Sequence, residues 1–261
     1  MALISQLERF EGFILDLDGV VYLRKAVVPG APRFVEELGS SGKKLVFLTN
    51  NSSRTREDYV TILSGFGIKA TKEEVVTSAY ATCLYLLRRR PVARVFVVGE
   101  AGLRDELSCA GFRVVRQPPA HFVVVGIDLH FTYDKLRLAV QMIRQGAKFV
   151  CTNRDATYPT EEGPHPGAGS IVAAIRTASG RRPTDIGKPN RRIFDMCRTV
   201  LGTPAGNTAV IGDRIETDIL GGLRAGMGTI LVLSGVTTRG QMGPGGVRPD
   251  LVVDSVADLF T

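Results

Sequence analysis

The sequence predicts a parallel α/β protein, and three observations carry that prediction. Short apolar runs alternate with amphipathic stretches from about residue 13 to residue 253. Several of the apolar runs end in clusters of Asp, Asn, Thr or Ser, which is where open parallel sheets gather their ligand-binding groups. The chain has 261 residues, 44% hydrophobic and 23% charged, which suits one large domain or two small ones with an ample core.

The elements follow in order. Residues 13–16 and Lys44–Thr49 read as buried strands. Between them Pro29 and Pro32 mark the start of a helix that runs to about Leu38 and is closed by Gly39 and Gly42. Thr55 and Asp58 form a capping box, with Asp in place of Glu, that opens a helix ended by Gly65 and Gly67. A short strand at Val75–Thr77 leads into a helix that runs through Leu87. From about residue 92 a second series begins, with strands at 94–98, 112–115, 122–127 and 147–152 and helices at 100–110 and 133–145. The Pro- and Gly-rich stretch 158–169 reads as a loop, followed by a helix at 170–179. Helices at 190–201 and 217–225 then alternate with strands at 208–212, 229–233 and 250–253, and 241–249 reads as a surface loop. There is no internal repeat and no low-complexity tract.

Composition excludes several classes. With this much apolar residue the chain is not disordered, and no apolar run approaches the ~20 residues of a membrane-spanning helix. The segment 1–10 carries Glu8 and Arg9 and no apolar signal region, so a cytoplasmic protein is expected. Cys83, Cys109, Cys151 and Cys197 lie far apart with no Cys-x-x-Cys pair, as expected of scattered buried thiols in a reducing compartment. The histidines (His121, His130, His165) have no zinc-ligand spacing and read as structural or solvated. The net charge of +7 is compatible with nucleic acid, a membrane surface or an anionic small molecule. Its clusters, Arg88–Arg90 and Arg181–Arg182, are short, no aromatic-rich strand accompanies them and the chain has no Trp, so neither a nucleic-acid nor a membrane partner is expected.

Four segments carry chemistry. Asp16 and Asp18, in Asp16-Leu17-Asp18-Gly19-Val20, would point the same way if the chain stayed extended, and two converging carboxylates need a cation or a proton between them; a strand-end turn is the plainer alternative. Thr49-Asn50-Asn51-Ser52-Ser53 offers hydroxyls and free N–H groups just before a helix, which suits either an anion such as phosphate or a simple cap. Gly212-Asp213-Arg214-Ile215-Glu216-Thr217-Asp218 places one carboxylate at a strand end and another in the first turn of the next helix; carboxylates with a phosphate are the usual surroundings of Mg²⁺. Lys188, in Gly187-Lys188-Pro189, precedes a helix and is free to meet an anion, although a lone lysine is by default surface charge.

In this order the four segments resemble the haloacid dehalogenase (HAD) superfamily of phosphohydrolases, whose pattern is Asp-x-Asp, a strand ending in Ser or Thr, a Lys, then Gly-Asp-x-x-x-Thr-Asp. The wording Asp16-Leu17-Asp18-Gly19-Val20-Val21-Tyr22 and Leu48-Thr49-Asn50-Asn51-Ser52 is similar to the subfamily related to NagD and 4-nitrophenyl phosphatases. The resemblance implies a doubly wound, Rossmann-like parallel-sheet core (the HAD fold) and hydrolysis of a small phosphomonoester such as a sugar phosphate, a phosphoglycolate-like ester, a nucleotide or an aryl phosphate. It implies Asp16 as the nucleophile that forms an aspartyl-phosphate, Asp18 as general acid and base, and Thr49 and Lys188 as holders of the transferring group. It further implies Mg²⁺ held by Asp16, the Asp18 backbone carbonyl and Asp213, with Asp218 orienting the metal's outer shell. The Asp at position 18 distinguishes the chain from ion-pumping ATPases, which have Thr there, and from the dehalogenases, which lack it.

Spacing locates an insertion. Asp16 and Thr49 are 33 positions apart, room for one crossover, whereas 139 positions separate Thr49 from Lys188. An α/β insertion over 80–183 is therefore expected between core segments 1–79 and 184–261, and the resemblance makes it a C2-type cap that sets substrate specificity. The run Thr152-Asn153-Arg154-Asp155 resembles a cap loop that in relatives reads Asn-Pro-Asp and faces the active site. Asn50, Asn51, Asn153, Arg154 and Asp155 are thus expected at the substrate, with Arg154 standing where relatives have Pro. Relatives often dimerise through such a cap, which leaves a homodimer open. A catalytically weak binding or regulatory protein on the same scaffold is the alternative, and loss of Asp16, Asp18 or Asp213 would favour it; all three are present. A nucleotide-binding dehydrogenase is disfavoured, since Val98-Gly99-Glu100-Ala101-Gly102 is only a degenerate imitation of the glycine fingerprint.

Overall fold

The apolar runs become strands that are buried along their length: Gly12–Asp16 and Thr208–Gly212 are buried at every position, as parallel strands covered on both faces must be. The computed structural model describes residues 3–160, 162–242 and 246–260. Its first five strands are β1 (Gly12–Asp16), β2 (Tyr22–Leu23), β3 (Ala26–Val27), β4 (Lys44–Thr49) and β5 (Val75–Thr77). Next come β6 (Arg94–Val98), β7 (Arg113–Val115), β8 (Phe122–Val125), β9 (Lys148–Cys151), β10 (Thr157–Thr160), β11 (Gly163–Pro166) and β12 (Thr184–Asp185). The last three are β13 (Thr208–Gly212), β14 (Gly228–Val232) and β15 (Leu251–Val253). The helices are α1 (Ala31–Ser40), α2 (Arg56–Gly65), α3 (Ser78–Arg89), α4 (Ala101–Cys109), α5 (Tyr133–Arg144), α6 (Ala168–Ser179), α7 (Arg191–Leu201) and α8 (Leu220–Ala225).

The chain forms two compact units. The first takes in Met1–Thr49, Tyr59–Val76 and Lys188–Thr261. Its sheet runs β15-β14-β13-β1-β4-β5, and the pairs from β15 to β4 are parallel. The chain steps outward from β1 to β4 and β5, then restarts beside β1 at β13 and steps outward the other way. Loops leaving the carboxyl ends of β1 and β13 therefore diverge, and a crevice opens at this switch point. Register decides which residues meet there. Leu15 pairs with Ile211, which brings Asp16 beside Gly212 with Asp213 one residue beyond. On the other side Asp16 pairs with Leu48, with Thr49 one residue beyond. Phe13, Phe34, Phe47 and Leu63 are fully buried beneath this layer, each worth about 1.5–3 kcal/mol of transfer free energy.

The second unit takes in Asn50–Asp58 and Thr77–Gly187. It has its own parallel sheet, β12-β9-β8-β6-β7, and its own core around Phe96, Val98, Val123, Met142, Phe149 and Ile175. The predicted capping box forms here: the Thr55 N–H donates to the Asp58 carboxylate at 2.8 Å and the Asp58 N–H to the Thr55 hydroxyl at 3.2 Å. Arg88–Arg90 forms the exposed end of α3, as read from the sequence.

Some expectations are corrected. The stretch 158–169 is not a loop throughout but holds the hairpin β10–β11, with Tyr158 opposite His165 and Pro159 opposite Pro164. A two-stranded ribbon has edges on both sides, so its prolines forfeit no inner ladder bond, and the Tyr158 and His165 rings meet edge to face at 6.0 Å. The helix expected over 217–225 begins as a wide π turn at Ile215–Ile219 before α8. Cys83, Cys151 and Cys197 are buried, but Cys109 is exposed at the end of α4. Strands β2, β3 and β12 have only two residues each, too short to leave a pattern. Of the loop expected over 241–249, residues 243–245 lie outside the described residues; Gln241 closes a short 3₁₀ turn.

Candidate active site

Lys188 stands among carboxylates at the switch point. Its Nζ lies 2.6 Å from Asp16 Oδ1 and 2.7 Å from Asp218 Oδ1, and only 4% of its side chain is exposed. Asp16 ends β1, Asp213 follows β13, and the π turn swings Asp218 back toward the same point. The Arg214 N–H and the Thr217 hydroxyl both donate to Asp218 Oδ2, which fixes that carboxylate. Asp16, Asp213 and Asp218 each present an oxygen, all within 4.8 Å of one another. A single ammonium thus faces three buried carboxylates, and the excess of negative charge sets the electrostatics.

Burial pushes the Asp16 carboxyl well above its ordinary range; Lys188 pulls against this, and the like charges of Asp218 and Asp213 add to the rise. Asp213 is pushed up to about 6 by burial and by Asp218, opposed by the Val236 N–H that it accepts. Burial alone would lower Lys188, but Asp16 and Asp218 outweigh it and hold the ammonium above its usual value. Asp18 is raised by burial and held back by Lys188, Arg214 and the Arg24 backbone N–H.

Asp213 divides its two oxygens. Oδ2 accepts the Val236 N–H at 2.7 Å, while Oδ1 is buried with no hydrogen-bond partner among the described residues. The cradle around it tolerates only glycine at two places. A Cβ on Gly235 would fall 2.0 Å from Asp213 Oδ2, and one on Gly19, whose φ is +83°, would fall 2.5 Å from it. A buried carboxylate oxygen left unpaired beside two further carboxylates is the donor set of a hard divalent cation.

The structure departs from the alternation argument for Asp16 and Asp18. The chain leaves the extended conformation at Leu17, whose carbonyl accepts from the N–H groups of Val20, Val21 and Tyr22. Asp16's acidic neighbours are accordingly Asp213 and Asp218, with Asp18 set on the loop beyond but still within the field of Lys188. Thr49 is buried at the end of β4.

The second unit holds the other predicted site residues in a network of their own. The Asn50 Nδ2 donates to both oxygens of Asp155, at 3.2 and 3.1 Å. The Asn50 carbonyl accepts from the Ser78 hydroxyl at 2.6 Å and from Asn153 Nδ2 at 2.8 Å. Asn153 Oδ1 accepts the Asp155 N–H, and Asn51 Oδ1 accepts from the N–H and hydroxyl of Ser53. Asn50 and Asn153 therefore spend much of their capacity on protein partners. Arg154 pairs through Nε with Asp185 at 2.8 Å and keeps 63% of its side chain exposed.

Residues 13–113 match the haloacid dehalogenase-like hydrolase model, and residues 185–259 match a HAD-hydrolase-like model. The chain is 38% identical to the 5'-nucleotidase YutF of Bacillus subtilis over 97% of its own length and 98% of that protein's. The chain belongs to the haloacid dehalogenase-like hydrolases. Its fold is close to that of the 4-nitrophenylphosphatase of Thermotoga maritima, with a TM-score of 0.92 at 38% identity over 97% of each chain. It is also similar to the glycerol phosphate phosphatase Rv1692 of Mycobacterium tuberculosis, solved with magnesium, with a TM-score of 0.91 at 33% identity over 99% of this chain and 79% of that one. As expected from its motifs, the chain is an enzyme of this family's phosphatase branch.

Sequence reasoning missed two sets of partners. The loop Ser234-Gly235-Val236-Thr237 closes over Asp213, and Asp185 holds Arg154. The first had a usable signal, because it is one more polar segment directly after an apolar strand of the same sheet. Asp185 sits in a two-residue strand and left none.

Proposed function

We propose that this chain is a Mg²⁺-dependent phosphatase of small phosphomonoesters that works through an aspartyl-phosphate on Asp16. The observation that carries the reading is the buried trio Asp16, Asp213 and Asp218 around Lys188, with Asp213 Oδ1 left without a hydrogen-bond partner among the described residues. The residues fit a divalent cation: Asp16, Asp213 and the Asp18 backbone carbonyl would hold it, with Asp218 orienting its surroundings. Bound there, Mg²⁺ supplies charge neutralisation for the phosphoryl oxygens. The magnesium in the mycobacterial relative agrees with that choice.

Each remaining step belongs to a side chain. Asp16 attacks phosphorus as the ester oxygen leaves, and Lys188, already pinned beside Asp16, steadies the transferring group. Asp18 gives its proton to the leaving oxygen; the raised affinity for protons that burial confers suits an acid at neutral pH. The same carboxylate then takes a proton from the water that frees Asp16. Thr49 and the first N–H groups of the segment beginning at Asn50 bind the phosphoryl oxygens. The second unit acts as the cap that selects the ester, with Arg154 as its exposed cation and Asn50, Asn51, Asn153 and Asp155 shaping the loops around it. A small phosphorylated molecule is the partner, as for the phosphatases the chain is similar to.

The test is turnover of 4-nitrophenyl phosphate with and without Mg²⁺, on the native chain and on Asp16→Asn. The reading expects activity only with metal and the native Asp16. Turnover of Asp16→Asn above one-tenth of the native rate, or full activity in chelator, would overturn it.

A further inference from the structure

Beyond the four motifs, the loop that follows β14 touches both halves of the proposed chemistry within the first unit. The Ser234 hydroxyl donates to the Gly19 carbonyl at 2.6 Å. Two residues on, the Val236 N–H takes Asp213 Oδ2 at 2.7 Å, and the Thr237 N–H donates to the Asp213 carbonyl at 3.1 Å. Gly235 lies so close that its Cα is 2.9 Å from where a Cβ on Gly19 would stand. One short loop therefore grips the carboxylate after β13 with its amides and the loop after β1 with a hydroxyl.

The Gly19 carbonyl is the next one after Asp18. Short-range hydrogen bonds shape the loop that carries Asp18: Leu17 O to the N–H groups of residues 20–22, the Gly19 N–H to Tyr22 O at 2.7 Å, and the Asp18 carboxylate to the Arg24 N–H. Arg24 holds a left-handed φ of 59°, unusual for a residue with a side chain. All of these hydrogen bonds span seven residues or fewer, and apolar packing seats the loop: Leu17, Val20 and Val21 are buried in the core and the Tyr22 ring lies 5.6 Å from that of Phe66. Ser234 adds a hydrogen bond to the carbonyl next to Asp18, from a point 215 residues away in sequence.

We propose that Ser234 is a positioning residue for Asp18: its hydrogen bond to the Gly19 carbonyl holds the acid–base loop in register with the Asp213 side of the site. The inference rests on the phosphatase reading and extends it to a residue outside the family's four motifs. Its consequence is selective. A misplaced proton donor harms esters whose leaving group needs a proton, while 4-nitrophenolate departs with little help. A loop that merely supported Asp213 would instead weaken metal binding and slow every ester alike.

The experiment compares Ser234→Ala, Ser234→Thr and Asp18→Asn with the native chain, using kcat/KM for an alkyl phosphate and for 4-nitrophenyl phosphate at saturating Mg²⁺. Mg²⁺ affinity is measured separately by calorimetry without substrate, and folding by circular dichroism. Ser234→Ala should lose about 2- to 12-fold on the alkyl ester, the size of one neutral hydrogen bond expressed in the transition state, and less than about twofold on the aryl ester. Its Mg²⁺ affinity should stay within about twofold of native, and Ser234→Thr, which keeps the hydroxyl, should recover the alkyl activity. Equal losses on both esters, a weakened metal site, no loss at all, or failure of threonine to restore the alkyl rate would each overturn the assignment. Asp18→Asn separates the two levels. Should it fail to distinguish the esters, the acid–base reading itself falls and takes the inference with it; should it distinguish them while Ser234→Ala does not, only the inference falls.

Discussion

Replacing Lys188 by methionine, similar in length but uncharged, removes the cation that touches both Asp16 and Asp218. The structure sets the scale. The ammonium makes charge-assisted hydrogen bonds of 2.6 and 2.7 Å to side chains that are 10% and 1% exposed, and breaking a buried pair from one side costs about 3–5 kcal/mol. Against a usual total of about 5–15 kcal/mol, the variant should fold but with a much reduced margin. The loss should also depend on pH. Burial and mutual repulsion already raise Asp16 and Asp213; without Lys188 the cation that opposes the rise of Asp16 is gone, and Asp213 keeps only Arg214 and the Val236 N–H against it. A carboxyl raised in the folded state binds more protons there than in the unfolded chain, so stability falls as pH rises from the ordinary carboxyl range through the folded value. At pH 5 Asp16 and Asp213 take up protons and relieve the repulsion more readily than at pH 8. Urea denaturation in chelator at the two pH values measures this. The expected outcome is a deficit of several kcal/mol at pH 8 that shrinks clearly at pH 5. A deficit below about 1 kcal/mol, or one of equal size at both pH values, would refute the claim that Lys188 neutralises a buried carboxylate cluster.

Two other predictions follow from the same geometry. Mg²⁺ should raise the melting temperature of the native chain, and by more at pH 8 than at pH 5, because protons compete for an Asp213 carboxyl whose pKa is about 6; a shift that does not change with pH would contradict a site built on these carboxylates. Arg154→Ala should cost less than about 1 kcal/mol of stability, since the arginine of the Arg154–Asp185 pair is largely exposed. Its kcat/KM should fall about 10-fold or more for substrates with a second anionic group and stay level for 4-nitrophenyl phosphate; ratios that move together would confine the arginine to its bond with Asp185.

What could be read from the sequence was what burial forces. Residues 13–16 and 208–212 are apolar runs that only a two-sided sheet can cover, so the polar residues at their ends, Asp16 and Asp213, could be placed at a sheet edge without coordinates. Lys188 and Asp218 were legible as chemistry, but not as a contact, because the π turn at Ile215–Ile219 that returns Asp218 to Lys188 has no sequence period. For Asp18 the sequence left an extended segment and a strand-end turn open, and the three N–H groups that gather on the Leu17 carbonyl make it the turn. The hairpin Thr157–Pro166 was hidden by its own prolines, which mean loop in an inner strand and nothing of the kind in a free ribbon. Asn50 and Asp155 were singled out for substrate, yet they meet each other across about a hundred positions, a tertiary pairing beyond any local rule.

The central claim is that Asp16 carries the phosphoryl group. Mixing the enzyme with a phosphomonoester and Mg²⁺, quenching in acid within the first turnover and mapping the peptides by mass spectrometry tests it most directly. The account predicts one added phosphoryl group on the peptide that contains Asp16, absent from Asp16→Asn and from enzyme held in chelator. Rapid turnover with that peptide unmodified, or a phosphoryl group captured on any other residue, would contradict it.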